Sequence, residues 1–470
     1  MATLNAAFSI ATGALEAAQS AINVIANNVS NANTPGYTTE LPQWQENDTI
    51  SIGGVSYGQG STMTGASSQR DLVLEQRIQQ QTQLQQDTNA RYTALDQMQN
   101  IFSASTSTST SSPSLDIGQS ITGFFSSLSQ LQASPSDSSL RQSVLTAAQT
   151  LVNAFHSASS QLSSQQNSLD QQVGTIVSQV NALTQSIAQL NQQIAQVSPN
   201  GDAGQLEDQR QYDIQQLSQW IGIHQINTED NGLTITTSSG APLVVKGQAF
   251  SLRTGLSGGT THIYDAEGND LTSELAGMGG QLGGVLTVRD QDIPQMQSAL
   301  DTLAYNLGSA LNSANQAGTD ANGNAGGDLF TLPSSTAGAA SQIAVAITSG
   351  SQIAAAATGN GSSDSTNLVS MLQIQNQSIV GGTTATSYYA SFVSSLGSLV
   401  SEVSTENAAQ QASLTQLTTQ RDSLSAVNQN DQAALLENLQ QTYQAAAKVF
   451  TILDAVMASA LNLGVETTVA

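Results

Sequence analysis

The sequence predicts a mainly α-helical fold with a small β domain inserted at the centre of the chain. Three observations support this prediction. Apolar residues alternate at spacings of three and four near both ends of the chain, which is the a/d pattern of helices that pack along one another. The same pattern is held most strictly between residues 169 and 197. After residue 222, short β-type runs are separated by Asn-Gly, Lys-Gly and a glycine-rich loop, which are hairpin signals.

The first helix is predicted to end near Asn31. Pro35 disfavours a helical conformation at Thr34, and Pro35-Gly36 suits the two central positions of a type II turn. Before this turn, apolar residues fill the a/d positions for nearly four heptads: Leu4, Phe8, Ala11, Leu15, Ala18, Ile22, Ile25 and Val29.

A matching helix is predicted at the C-terminal end, because nothing between Gln432 and Leu463 breaks a helix. An amphipathic helix usually packs onto its own domain, but matching stripes at both ends favour pairing of the two ends. We therefore predict paired N- and C-terminal coiled-coil helices, in an assembly domain of residues 1–45 and 430–470. The a/d positions of the second helix are Leu436, Leu439, Tyr443, Ala446, Phe450, Leu453, Met457 and Ala460.

The interior is predicted to contain a long helical rod domain, residues 46–222 and 285–429, and the small β domain, residues 223–284. The Ser/Thr-rich segment from Ser103 to Ser114 is typical of a flexible connection. Pro135 is expected to open a helix, and Pro199-Asn200-Gly201 to end the central heptad run. Helical patterns cover residues 71–102, 117–131, 169–197, 204–220, 290–315 and 388–424.

Composition argues against several classes of function. The chain has 10 basic and 34 acidic residues, a net charge of −24, and this field repels nucleic acid and anionic membranes. Cysteine is absent, so disulfides and thiolate metal sites are excluded. The first basic residue is Arg70, so we do not expect a cleaved secretory signal. The Ala-rich start lacks the roughly 18 continuous apolar residues of a membrane span.

No motif in the sequence indicates catalysis. A Walker loop and a dinucleotide-binding glycine motif are both missing, and the three histidines lie far apart. We therefore predict no enzyme activity, no catalytic residue and no cofactor. Asp320-x-Asn322-x-Asn324 resembles the start of a calcium loop, but Ala325 and Thr331 replace the required Gly and Glu. An ordinary turn without a metal is favoured.

Segments at both ends carry a resemblance to a known family. The segment from Ala26 to Tyr37 resembles the N-terminal signature of the bacterial flagellar rod, hook and hook-associated proteins, and Leu436 to Val449 resembles its C-terminal partner. In the interior, Leu206 to Arg210, Gly283 to Asp290 and Gly318 to Gly323 resemble the members at the hook–filament junction. The resemblance covers nearly the whole chain. It departs at Thr39-Glu40, where members often have Arg-Gln, and at Ala446 and Ala455.

The resemblance implies a structural component of the flagellum that forms the junction between hook and filament by self-assembly through its terminal helices. It implies export through the flagellar type III channel, without a cleaved signal peptide, to the extracellular flagellum. Implied partners are other copies of the chain, the hook protein, the second junction protein (hook-associated protein 3), and an export chaperone that covers the C-terminal helix. Nucleic acid and membranes are not expected partners.

The resemblance also assigns two sets of site residues. The assembly motif consists of Asn27, Asn28, Asn31, Asn33, Thr34, Pro35, Gly36 and Tyr37. The helix that would assemble or bind the chaperone carries Leu436, Leu439, Tyr443, Phe450, Leu453 and Met457. Because many a/d positions are Ala, each terminal helix is expected to be marginal alone and to order only on incorporation.

Two alternatives stay open. A hook or distal-rod protein shares the terminal motifs but places more β structure and less heptad helix in its interior. An extracellular adhesin, or an enzyme on a helical stalk, would use the β segment to bind a ligand. That segment is short and lacks convergent polar residues, which disfavours this second alternative.

Overall fold

The computed structural model describes residues 2–52, 54–102, 116–197, 203–228 and 231–466. The helices are α1 Ala2–Asn31, α2 Leu72–Phe102, α3 Ile117–Ala133, α4 Ser138–Val197, α5 Gln205–Trp220, α6 Thr272–Leu275, α7 Gly280–Thr287, α8 Ile293–Gln316, α9 Ala339–Gln342, α10 Thr366–Gln373, α11 Ala385–Ser425 and α12 Gln429–Glu466. The strands are β1 Glu40–Glu46, β2 Ile50–Ile52, β3 Val55–Tyr57, β4 Ser61–Ser68, β5 Ile223–Asn227, β6 Leu233–Thr237, β7 Pro242–Val245, β8 Gln248–Ala249, β9 Arg253–Ser257, β10 Thr260–Tyr264, β11 Gly318–Thr319, β12 Phe330–Thr331, β13 Ala344–Val345 and β14 Ala356–Ala357.

The predicted fold class is confirmed. Long helices occupy both ends, and a strand-rich region lies at the centre of the sequence. The central heptad run lies inside α4, a helix of 60 residues. The connection from Ser103 to Ser114 and the stop at Pro199-Asn200-Gly201 lie outside the described residues. Within the described part of the chain, no helix has the length and apolar character needed to span a membrane.

The start of α4 is set by Asp137. The backbone N–H groups of Ser139 and Leu140 donate to Asp137 Oδ1 at 2.7 and 3.3 Å, which satisfies donors that have no partner inside the first helical turn. Pro135, expected to open this helix, lies three residues before its first residue. The local carboxylate cap therefore determines the boundary.

Four strands between Glu40 and Ser68 were not predicted. β1 pairs antiparallel with β4, and β2 with β3. Sequence periodicity does not reveal β1 and β4, because Pro42 and Gly65 interrupt them and polar residues fill most positions on both faces. Their stabilisation comes from packing against α1.

The described residues form two compact units. The first, here the terminal unit, comprises Met1–Gln83, Gln179–Leu252 and Gln411–Ala470. The second, here the interior unit, comprises Leu84–Ser178 and Arg253–Gln410. The domain division predicted from the sequence stays a prediction.

The terminal unit contains a four-stranded antiparallel sheet in the order β5-β6-β7-β8. Ile235, Leu243 and Val244 are fully buried in its core. The Asn191 side chain of α4 donates to the carbonyl oxygens of Leu233 and Lys246 at 3.0 and 2.7 Å. An amide of a long helix thereby holds β6 and the turn between β7 and β8.

In the interior unit, glycines of α7 allow a very close approach to α2. A Cβ added at Gly284 would lie 2.2 Å from the carbonyl oxygen of Asp87, and one at Gly283 would lie 2.5 Å from the Asp87 carboxylate. That carboxylate accepts the Gly279 N–H at 3.1 Å, and burial raises the pKa of Asp87 to about 6. The Gly283-Gly284 pair therefore has a packing role.

A buried arginine joins three segments of the interior unit. Arg289 lies in a π-helical turn between α7 and α8, and it is fully buried. It pairs with the Asp170 carboxylate of α4 at 2.8 Å and with the Asp290 carboxylate at 2.7 Å. Its guanidinium also donates to the carbonyl oxygen of Thr261 at 2.7 Å, while the Thr261 N–H and hydroxyl donate to Asp170, both at 2.7 Å. The β9–β10 hairpin is thus tied to two helices through one guanidinium.

The calcium-like segment forms a turn. The backbone N–H groups of Asn322 and Asn324 both donate to Asp320 Oδ1 at 2.8 Å, and Gly323 has a positive φ of 85°. This carboxylate caps its own turn, as Asp often does. Among the described residues there is no group of three or more His, Asp or Glu side chains that could hold a metal ion.

Candidate functional site: the junction of the terminal helices

The two terminal helices pack along each other within the terminal unit. The rings of Phe8 in α1 and Phe450 in α12 lie 4.6 Å apart, a distance typical of favourable aromatic contacts. Most of the residues predicted to line α12 are half-buried: Leu436, Leu439, Phe450, Leu453 and Met457. Tyr443 is 38% exposed.

The buried side of α1 differs from the predicted stripe at its C-terminal end. Ala11, Ala18 and Ile25 of the stripe are buried, but Val29 is 43% exposed. A second buried row follows helical spacing through Ala17, Ala21, Val24 and Asn28. Position 28 therefore takes the place in the core that apolarity alone assigns to position 29.

The turn after α1 has the predicted geometry. The Tyr37 N–H donates to the carbonyl oxygen of Thr34 at 3.2 Å, and Gly36 has a φ of 81°, as a type II turn requires. A Cβ at Gly36 would approach the Tyr212 Cβ atom to 2.9 Å, so close packing also favours glycine there. Asn31 accepts the Thr34 hydroxyl at 3.2 Å and donates to the carbonyl oxygen of Asn27 at 3.1 Å. The side chains of Asn27, Asn33, Thr34 and Pro35 are exposed.

Asn28 is the centre of the cluster that we call the Asn28 clamp: Asn28, Tyr37, Glu40 and Gln432. Its side chain is fully buried and makes four hydrogen bonds. Its Nδ2 donates to the Glu40 carbonyl oxygen at 2.8 Å and to Gln432 Oε1 at 2.9 Å. Its Oδ1 accepts the Tyr37 hydroxyl at 2.9 Å and the Glu40 N–H at 3.0 Å. One amide therefore links α1, the turn, β1 and α12, with all its hydrogen-bonding capacity used.

A second cluster, the Asp208 network, consists of Thr38, Arg70, Glu207 and Asp208. The Thr38 hydroxyl and N–H donate to the two carboxylate oxygens of Asp208 at 2.5 and 3.2 Å. Arg70 forms ion pairs with Asp208 and, at 3.4 Å, with Glu207. The residues just after the turn are thereby held on α5, in the segment whose sequence resembles the junction members of the family.

The connection between α11 and α12 is held at the same place. The Thr39 N–H donates to the Ser425 carbonyl oxygen at 2.9 Å, and the Ser425 hydroxyl donates to the Gln69 carbonyl oxygen at 2.8 Å. Gln69 N–H in turn donates to the Thr39 carbonyl oxygen at 2.9 Å. The chain therefore leaves α1 and enters α12 at one fixed point.

The electrostatics of the junction follow from its burial. Burial, followed by the charges of Glu40 and Asp208, raises the pKa of Tyr37 above its usual range, so the hydroxyl remains a donor to Asn28. Burial also raises the pKa of Glu75, although the charges of Arg421 and Arg70 act in the opposite direction. This arrangement of amides, hydroxyls and paired charges can fix the geometry of two helices.

The structure brings together only part of the predicted motif. Asn28 and Tyr37 lie in the clamp, and Asn31, Thr34 and Gly36 shape the turn. Sequence reasoning missed Glu40, Arg70, Ser425 and Gln432, because their partners lie far away along the chain. The one available signal was Gln432, a polar residue in the register of the apolar α12 stripe.

Two sequence-family models match the chain. The model described as "Flagellar hook-associated protein FlgK helical domain" matches residues 95–330. The model described as "Flagella basal body rod protein" matches residues 8–38, which include most of α1, the turn and Asn28.

Relatives match over nearly their full length. "Flagellar hook-associated protein 1" of Escherichia coli (strain K12) is 27% identical, with 96% of this chain and 98% of the relative covered. The protein of the same name in Bacillus subtilis (strain 168) is 28% identical, with 96% of each covered. The solved flagellar hook junction protein FlgK from Burkholderia pseudomallei has a TM-score of 0.66 at 21% identity, covering 74% of this chain and 99% of its own. This last match shows a shared fold.

Paired terminal helices, a helical interior and these matches define a structural protein of the bacterial flagellum. The chain belongs to the flagellar hook-associated protein FlgK family, whose helical-domain model covers about half of its residues. This is a family of structural proteins and not of enzymes.

Proposed function

We propose that this chain forms the junction between hook and filament by self-assembly through its terminal helices. The observation that supports the proposal most directly is the full-length match to proteins named flagellar hook-associated protein 1, combined with α1–α12 pairing in one compact unit. The helical interior also favours this function over that of a hook or distal-rod protein, for which more β structure is expected.

The Asn28 clamp and the Asp208 network give this function a physical basis. A subunit that assembles through two helices must present them in a fixed register, since a shift of one residue would rotate an apolar row by about 100°. Hydrogen bonds from Asn28 to β1 and α12 fix that register at the end of the helix pair where the chain leaves α1 and enters α12. The predicted assembly motif would then act during incorporation, by holding α1 and α12 in one register as neighbouring copies pack on them.

The test of this function is a strain that lacks the gene for this chain. We expect its cells to carry hooks without filaments in electron micrographs, and flagellin to be shed into the medium. Restoring the full chain should restore filaments and swimming. Filaments of normal number in the deletion strain would contradict the proposal.

We propose that residues 1–45 and 430–470 order only when the chain is incorporated. The α1–α12 contact has many Ala residues, and the α12 stripe remains half-buried, so little apolar area opposes the entropy of the free ends. Amide hydrogen exchange of the purified monomer should show protection in α4 and α8 and near-complete exchange in α1 and α12 within the first time points. Strong protection of both terminal helices would contradict this prediction.

The specific partners are also proposals: other copies, the hook protein, the second junction protein and an export chaperone. Before assembly, the stripe of Leu439, Tyr443, Phe450 and Met457 would be exposed, and a chaperone that covers it would prevent aggregation. Export would use the type III channel. A chain truncated after Leu435 should lose chaperone binding in a pull-down, whereas removal of residues 2–31 should not. Unchanged binding after the C-terminal truncation would reject this assignment.

A further inference from the structure

The small hairpin β2–β3 in the terminal unit presents an apolar face to solvent. Its register pairs Ile50 with Tyr57, which places Ile50, Val55 and Tyr57 on one face and Ser51 and Ser56 on the other. Val55 is 54% exposed and Tyr57 is 42% exposed. A two-stranded hairpin of this size is marginal in water without a packing surface, so an uncovered apolar face of this kind indicates a partner.

A second exposed apolar surface lies on α12. Leu435, Val449, Ile452 and Val456 are 40%, 49%, 62% and 48% exposed. Each precedes by one residue a member of the half-buried row, so the two rows lie about 100° apart around the helix. The half-buried row packs towards α1, and the exposed row therefore faces a different direction.

The two surfaces match in size and charge. Val449 to Val456 spans about 10 Å along a helix, and a three-residue strand also spans about 10 Å. The segment Glu40–Ser68 contains Glu46 and Asp48, both exposed, and no Lys or Arg. Lys448, adjacent to Val449 and exposed, is the single basic residue in the sequence of α12. The hairpin itself is uncharged, but Glu46 and Asp48 lie just before it, and Lys448 beside an apolar row of the same length is their basic counterpart on α12.

Both surfaces are open within the same unit, so the described part of the chain does not use either to cover the other. A second copy of the chain carries the same two surfaces, so each surface of one copy can be covered by the other surface of a neighbouring copy. We propose that the Ile50–Val55–Tyr57 face of one copy packs on the Val449–Ile452–Val456 row of the next, with Lys448 facing Glu46 and Asp48. The contact uses two different surfaces, so it propagates from copy to copy and generates a ring or a helix. This inference rests on the proposed self-assembly and adds a contact outside the α1–α12 pair.

Because the natural chain contains no cysteine, the contact can be tested by disulfide cross-linking between copies. A strain lacking the natural gene would express a mixture of Tyr57→Cys and Ile452→Cys chains. Each single-cysteine strain should first be shown to swim like the parent strain. This result shows that the variant chain still performs the proposed function, independently of any cross-link. Mild oxidation of isolated flagella should then give a covalent dimer, with at least tenfold more product than Tyr57→Cys mixed with Leu424→Cys, an exposed position of α11.

A second comparison tests the charges. Lys448→Glu should lower the dimer yield several-fold in the Tyr57→Cys and Ile452→Cys background, and adding Asp48→Lys should restore most of it. Equal yields in the matched and control pairs, dimers formed by either single variant alone, or cross-links to a different flagellar protein would each overturn the inference.

Discussion

Replacing Arg289 by Met is expected to destabilise the chain by about 3 kcal/mol, a fall in melting temperature of about 6–12 °C for a unit of this size. The substitution keeps much of the apolar stem but removes the guanidinium that joins Asp170, Asp290 and the Thr261 carbonyl oxygen. Folding removes these three acceptors and the guanidinium from water together. Without the guanidinium, two carboxylates and a carbonyl oxygen remain close to one another and lose their shared hydrogen-bond donor, which is unfavourable.

The size of this effect depends on how deeply the arginine and its two carboxylate partners are buried. The Arg289 side chain is 1% exposed, but those of Asp170 and Asp290 are 19% and 32% exposed. Water can therefore reach the orphaned carboxylates in part. For this reason we expect the lower end of the about 3–5 kcal/mol range measured when one partner of a buried pair is removed.

Arg253→Met is the matched control, to be compared by calorimetric unfolding. Arg253 lies in the β9–β10 hairpin that Arg289 contacts and donates to the backbone carbonyl oxygens of Asp265 and Ala266, but its side chain is exposed. Its loss should cost less than about 1 kcal/mol. If both variants unfold within 1 °C of each other, burial of Arg289 does not decide the stability of this unit.

Local signals in the sequence predict the helices well. α1 ends at Asn31, where Pro35 and Gly36 require a turn, and α12 runs without a break because Gln429 to Glu466 contains no proline. These features depend on residues within one or two turns of each other. Heptad spacing also predicts that the terminal helices pair, because both helices present an apolar stripe of similar length.

Contacts between distant segments are not readable in the same way. The partners of Asn28 lie 9, 12 and 404 residues away along the chain, and neither periodicity nor propensity indicates them. An apolar residue at position 29 and a polar one at position 28 make the wrong position look buried. The polar strands β1 and β4 and the buried Arg289 are hidden for the same reason, since long-range packing overrides local preference there.

The second large effect is expected from Asn28→Asp, which should abolish filaments on most cells. Aspartate has nearly the size of asparagine and a similar, low helix propensity, so the backbone of α1 is little affected. It removes the two Nδ2–H donors of Asn28 and turns a carboxylate oxygen towards the Glu40 carbonyl oxygen and Gln432 Oε1, which lie 2.8 and 2.9 Å from the present Nδ2. The Gln432 amide can rotate and donate to the new carboxylate, but the Glu40 carbonyl oxygen then faces a buried anion with no proton between them, which should cost about 2–4 kcal/mol.

A cost of that size lowers the equilibrium for correct pairing of α1 and α12 by roughly 30- to 1,000-fold. Asn27→Asp is the matched control, since it makes the same chemical change one residue earlier, at an exposed side chain. We expect Asn27→Asp cells to swim like the parent strain, and Asn28→Asp cells to carry bare hooks while exporting the variant chain into the medium. Export without incorporation separates a defect of assembly from one of secretion or folding of the interior unit. Because the clamp closes the end of the helix pair where the chain enters and leaves it, equal swimming of the two variants would mean that assembly itself, and not Asn28, fixes the register of the terminal helices.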